Sequence, residues 1–252
     1  MGQRRSRRSA RCALAAFATA IVASACVPPP DNVGTGTFLP GSHQYPRVVV
    51  LRHGPHAGEV LAMADGSGGA FWRSSDRGRT FEQVSTYPDP SLSWATIYEL
   101  PRAAGGFPAG TVYWAGAGGP GAARFRIGVW ASPDAGSTWT YLSDCVDPSD
   151  TPDATSGGIF EPELHLADTG RLVCTFSTET HQPRHSQTLD QAVSDDGGRT
   201  FGAPAPVVQS VAPWDRPGMA TTVRLPSGRW WMSYEICGFP TLTCQAHVRS
   251  SA

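Results

Sequence analysis

Three glutamates carry the chemistry this chain offers. Glu161 and Glu163 stand two apart in Phe160-Glu161-Pro162-Glu163, and Glu235 ends Ser233-Tyr234-Glu235. Two carboxyl groups facing each other across a cleft are what glycoside cleavage requires. One protonates the leaving oxygen, and the other attacks the sugar or activates water. Glu161 or Glu163 with Glu235 would form such a pair. Arg47 and Arg216 are candidate substrate-binding cations, and Trp94 and Trp214 are aromatic faces on which a sugar could stack. Each also has a plainer reading: ion-pair partners for the arginines, core packing for the tryptophans, solvated strand ends for the glutamates. No cysteine or histidine spacing looks like a zinc site. No cofactor and no metal are expected.

The elements that must position these residues announce themselves as a repeat. Ser74-Ser75-Asp76-Arg77-Gly78-Arg79-Thr80-Phe81 recurs as Ser132-Pro133-Asp134-Ala135-Gly136-Ser137-Thr138-Trp139 and as Ser194-Asp195-Asp196-Gly197-Gly198-Arg199-Thr200-Phe201. The copies are about sixty residues apart, and a repeat at that period dictates the architecture. Ser and Asp bond their own neighbouring backbone, Gly accepts the left-handed turn, and the aromatic starts the next strand. Around each copy the sequence reads as four short strands separated by Gly-rich turns such as Asp168-Thr169-Gly170-Arg171 and Pro226-Ser227-Gly228-Arg229. Four strands per unit at that period argue for an all-β protein built of β-propeller blades. The blades are expected near 45–86, 94–143, 159–209 and 217–252.

In an up-and-down blade the Asp-containing turns share one side with the first-to-second-strand turns. Starts of first strands and ends of second strands occupy the other side. Arg47, Glu161, Glu163, Arg216, Glu235, Glu179 and His181 all fall on that second side, so topology gathers the candidate groups at one mouth. Asp76, Asp134 and Asp196 fall on the far side, as folding staples without a catalytic role.

The remaining features bound location and class. The chain has 252 residues and a formal charge of −1, which gives no electrostatic case for a nucleic-acid partner. Residues 1–11 hold five arginines and no acid, residues 12–25 are apolar or small, and Ala23-Ser24-Ala25 supplies a cleavage site. Residues 1–25 therefore read as a signal peptide and 26–41 as a Pro/Gly linker. Export makes disulfides expected. Cys237 and Cys244 flank the turn Gly238-Phe239-Pro240 and pair locally, Cys145 and Cys174 form the second pair, and Cys26 is left over as a site for a lipid tether to a membrane. Arg7-Arg8 after Ser6 is faintly similar to a twin-arginine signal. The location expected is secreted or extracytoplasmic.

The Ser-x-Asp-x-Gly-x-Thr-aromatic pattern resembles the Asp box, or BNR repeat, of the sialidase superfamily. Glu161-Pro162-Glu163, Gly170-Arg171-Leu172, Arg216-Pro217-Gly218-Met219, Leu225-Pro226-x-Gly228 and Tyr234-Glu235, in that order, resemble the exo-α-1,5-L-arabinanases of that superfamily (glycoside hydrolase family 93). The resemblance implies a six-bladed propeller and a retaining mechanism. By motif, Glu161 matches the acid/base and Glu235 the nucleophile, with Glu163 the alternative to Glu161. It implies a carbohydrate partner, an arabinan-like glycan cut from its end, and a monomer when full-length. An exo-α-sialidase and a non-catalytic carbohydrate-binding propeller are the alternatives. Three blades and most of a fourth are counted, and Val248-Arg249-Ser250-Ser251-Ala252 aligns with Trp72-Arg73-Ser74-Ser75-Asp76. The expectation is an incomplete propeller over 42–252, a fragment of a longer protein that could be inactive alone. A complete four-bladed propeller would need a further strand to close it.

Overall fold

Period-two patterning and Gly-rich turns favour short antiparallel strands, each pairing with its sequence neighbour. A computed structural model of the chain describes Leu39 and residues 43–66, 68–118, 125–146, 157–209, 212–238 and 243–251. The expected signal peptide, Cys26, nearly all of the expected linker, the Phe239-Pro240 turn and Ala252 lie outside these residues. Among them stand four antiparallel sheets and no α-helix. Sheet one is β1 (His43–Val50), β2 (Val60–Gly66), β3 (Ala70–Ser74) and β4 (Glu82–Thr86). Sheet two is β5 (Leu92–Glu99), β6 (Val112–Gly118), β7 (Ile127–Ser132) and β8 (Thr140–Asp144). Sheet three is β9 (Ile159–Leu166), β10 (Leu172–Thr178), β11 (Thr188–Ser194) and β12 (Ala205–Val208). Sheet four has three strands, β13 (Asp215–Arg224), β14 (Trp230–Gly238) and β15 (Thr243–Ser250). Each sheet meanders in sequence order, and the four form the blades of a β-propeller, as expected from the repeat.

Each Asp-containing turn joins the third strand of a blade to its fourth, and its bonds are the same three times over. Ser74 Oγ donates to Asp76 Oδ1 at 2.8 Å and accepts from Gly78 N at 2.8 Å. Thr80 gives its backbone N–H to Asp76 Oδ1 and its hydroxyl to Oδ2, at 2.9 and 2.7 Å. Asp134 and Asp196 hold Thr138 and Thr200 identically. The bonds from Thr80 and Ser74 bring the Asp76 carboxyl down to about 2. These turns tie neighbouring blades as well as strands. The Trp139 ring lies 4.6 Å from Phe71 of the first blade, and its Nε1 donates to Ser85 Oγ at 3.2 Å.

The core sits in the seams between blades. Leu61, Met63, Phe71, Val112 and Trp114 fill the first seam, and Tyr113, Ile127, Leu164, Leu172 and Phe176 the second. The third is smaller, built on Leu189, Val208, Ala220 and Met232. Cys145–Cys174 bridges the second and third blades, and Cys237–Cys244 joins β14 to β15 across directly paired positions. Both pairings match those expected from the sequence. Val48 and Val50 on the first blade, and Val223, Trp231 and Val248 on the fourth, are exposed.

Candidate active site

The first strands line a cavity of about 1090 Å³ with their middle and later residues, Glu163 among them, and each strand carries a bulge near its start. Tyr45, Trp94, Glu161 and Met219 have φ of 52°, 49°, 58° and 55°, the left-handed region that non-glycine residues avoid. Each falls inside a register shift: Gln44 to Arg47, Ser93 to Thr96, Phe160 to Glu163 and Gly218 to Thr221. Backbone strain of this kind costs roughly 1–3 kcal/mol per residue and often marks a functional site. Here all four blades share it, so it belongs to the architecture of the mouth, where bulges re-aim side chains.

The two glutamates of β9 both reach the fourth blade. Glu161 Oε2 accepts from Ser177 Oγ and from Met219 N, each at 3.0 Å. Glu163 Oε1 accepts from Thr222 N at 3.1 Å, and its Oε2 meets the Thr96 hydroxyl of the second blade at 3.3 Å. Burial pushes the Glu163 carboxyl above the usual carboxylate range, against the pull of the Thr222 bond and of Arg47. A carboxyl so placed keeps its proton more readily than an exposed one.

Arg47 donates to the Tyr45 hydroxyl at 3.0 Å and lies 4.4 Å over that ring, with no ion pair among the described residues. Arg216 is tied into the third seam. It meets Glu179 Oε1 at 2.5 Å, Gln187 Oε1 at 2.6 Å and Ser186 Oγ at 3.0 Å. Glu179 in turn accepts from Gly158 N at 2.8 Å. Trp94 is half-buried with its ring edge-on to Phe160 at 5.4 Å, whereas Trp214 is 54% exposed.

Glu235 lies one strand out from the cavity, directly opposite Gly218 on β13 and Ala246 on β15. Its carboxylate is within 4.8 Å of the sulfurs of Cys237 and Cys244. Those sulfurs are bonded to each other, which disqualifies the group as a metal site. No hydrogen bond joins Glu235 to Glu161 or Glu163 among the described residues. What stands between them in register is Gly218, a position without a side chain. The groups that converge by contact or charge are thus Glu161, Glu163, Arg47 and Tyr45, with Glu235 across the fourth blade's first strand.

Two participants, Asp65 and Ser177, are not evident in the sequence. Asp65, buried at the end of β2, accepts from Trp94 N at 2.5 Å and from the Tyr87 hydroxyl at 2.8 Å, and burial raises its carboxyl. Ser177 holds Glu161. His181, which strand order assigns to the mouth, instead meets the buried Asp190 Oδ2 through Nε2 at 2.8 Å in a separate cleft of about 620 Å³. The one available signal for Asp65 and Ser177 is position, since both occupy the same place at the end of a second strand.

The fold is a β-propeller shared with solved arabinan-type glycoside hydrolases. Over 83% of this chain, the structure superposes on an α-L-arabinanase of Penicillium chrysogenum solved with arabinobiose, with TM-score 0.72 and 27% identity. It superposes equally on the GH93 α-L-arabinofuranosidase of Fusarium graminearum, with TM-score 0.72 and 24% identity, a likeness of fold. An endo-arabinase of Bacteroides thetaiotaomicron, at TM-score 0.60 and 14% identity, shares the fold over 82% of this chain and 75% of its own. The chain spans 62% of the length of the first two. No protein-family model and no curated protein matches the sequence.

Proposed function

We propose that this protein is a glycoside hydrolase of the sialidase superfamily that releases sugar from the end of an arabinan-like glycan with retention of configuration. The observation that carries the reading is the pairing of an arabinanase-like propeller at 27% identity with a buried carboxyl group, Glu163, on a first strand of the propeller. Glu163, enclosed and held toward its neutral form, suits the proton donor. Glu235, half-buried and on another blade, suits the nucleophile. The sugar would lie over Gly218, with Trp214 as an exposed stacking face.

A neutral sugar is favoured over a sialoside by the state of the arginines. Arg216 already has Glu179 as its partner, and Arg47 stands near Glu163 and Asp65. An anionic substrate would meet these carboxyl groups beside an Arg47 already held on the Tyr45 hydroxyl. The arginine-rich residues 1–25 support export, and Cys26 a lipid tether, as parts of the same proposal.

The test is hydrolysis of arabinobiose and linear arabinan, with the anomer of the first product read by proton NMR. Release of arabinose with retained configuration supports the reading. An inverted product, or cleavage of a sialoside in preference to arabinan, refutes it.

A further inference from the structure

The four blades supply their own comparison at equivalent positions. The left-handed bulge residues are Tyr45, Trp94, Glu161 and Met219. The second-strand residues that pair just before each bulge are Asp65, Ala117, Ser177 and Glu235. In the first seam, Asp65 crosses to the second blade and accepts the N–H of its bulge residue, Trp94. In the third seam the bulge residue of the fourth blade, Met219, gives the same N–H to Glu161. Ser177 occupies the position of Asp65, is too short to reach across, and instead donates to Glu161. The acid has moved from the end of the second strand to the bulge residue of the first. The N–H it accepts is the same.

We propose that Glu161 is a positioning residue, a clasp that fixes the bulge of β13 and through it the register of Glu235. A left-handed bulge leaves its N–H without a partner in the ladder, and a carboxylate that accepts it makes a charge-assisted hydrogen bond, stronger than a neutral one. Glu161 satisfies that donor and thereby holds the segment from Gly218 to Thr221 in the shifted register. Gly218 pairs directly with Glu235, so a slipped or frayed bulge displaces that carboxylate. A Cβ on Gly218 would come within 3.4 Å of Glu161 Oε2, which shows how closely the clasp closes on this strand. The part concerning Glu235 rests on the glycosidase reading; the clasp itself does not.

The experiment compares Glu161→Gln, Glu161→Ala and Glu161→Gly. The glutamine keeps a carbonyl oxygen for Met219 N, and glycine suits the left-handed backbone if alanine fails to fold. Amide exchange of Met219 is read by NMR, with Trp94 as the internal control. Loss of a bond to a charged acceptor is expected to speed Met219 exchange by about ten- to a hundredfold in the alanine and glycine variants, with the glutamine staying within about threefold. On arabinobiose, kcat is expected to fall about tenfold or more in the alanine or glycine variant and to recover in the glutamine variant, with the pH profile unchanged. Unchanged Met219 exchange in the glycine variant overturns the clasp. A glutamine variant as inactive as the alanine, with a displaced pH limb, makes Glu161 a catalytic carboxyl and overturns the positioning role. If the wild-type chain cleaves no arabino-oligosaccharide, the glycosidase reading falls, and Met219 exchange alone then decides for or against the clasp.

Discussion

Acidification should weaken this fold through one histidine. His165 lies on β9 two residues beyond Glu163, with its ring 4.7 Å from that of Trp230 and Nδ1 3.3 Å from the Thr222 hydroxyl. Burial pushes the imidazole down to about 4, from 6.5. The folded state resists charging His165, whereas the unfolded chain takes up the proton near 6.5. Stability is therefore fully present above about pH 6.5 and declines as pH falls toward 4. The gap corresponds to at most about 3 kcal/mol, and access of water to the half-buried ring brings the expectation to about 2. Glu163 lines the same cavity, as do Arg52, Arg102, Arg224, Glu99 and Asp168. Of these, Glu163 acts in the opposite sense, because its raised carboxyl favours the fold as pH falls. Comparison with His165→Gln isolates the histidine, since the other groups are common to both proteins. Urea unfolding at about pH 7 and about pH 4.5 is the assay. Wild type should lose about 2 kcal/mol more than the variant over that interval. Equal losses would show that His165 is charged in the fold, and the argument from burial would fail.

Other outcomes follow from the same contacts. Cys145–Cys174 closes 29 residues of sequence and Cys237–Cys244 closes 7, so loop entropy assigns them about 3.5 and about 2.5 kcal/mol. Urea unfolding of the two double-serine variants should rank them in that order, and the reverse ranking counts against the seam-bridging role of the first. Glu163→Gln should lower kcat on arabinobiose at least a hundredfold, less on an aryl arabinofuranoside whose leaving group needs no proton. A general acid raised by burial also sets the alkaline limb, so wild-type activity should fall as pH rises through it, and an unaltered limb in the variant removes Glu163 from that role. Trp214→Ala should raise KM several-fold and leave the melting temperature unchanged, because the ring is 54% exposed; a large drop in melting temperature would make it a packing residue.

Much of the architecture was legible because it is written in local chemistry. The Ser-x-Asp-x-Gly-x-Thr turns are stapled by bonds no more than four residues apart, and their spacing orders the blades. The cysteine pairs follow from a turn and from elimination. The strand order around the mouth was legible, and with it which residues start and end strands. The mouth's inner geometry was not. Tyr45, Trp94, Glu161 and Met219 adopt positive φ without a glycine to announce it. Arg216 reads as a free cation until the fold brings Glu179, 37 positions earlier, against it. Glu161 and Glu163 look like interchangeable choices in sequence, yet the bulge gives one to Met219 and the other to Thr222. Such pairings depend on how one blade meets the next, and no local pattern encodes that.

The central claim is retaining cleavage with Glu235 as nucleophile, and trapping the intermediate tests it most directly. The chain would be incubated with a 2-deoxy-2-fluoro arabinofuranosyl donor bearing a good leaving group, digested, and sequenced by mass spectrometry. The account predicts one covalent sugar on the peptide containing Glu235, absent in Glu235→Gln. A sugar attached to Glu161 or Glu163, or turnover without any adduct and with inverted product, would contradict it.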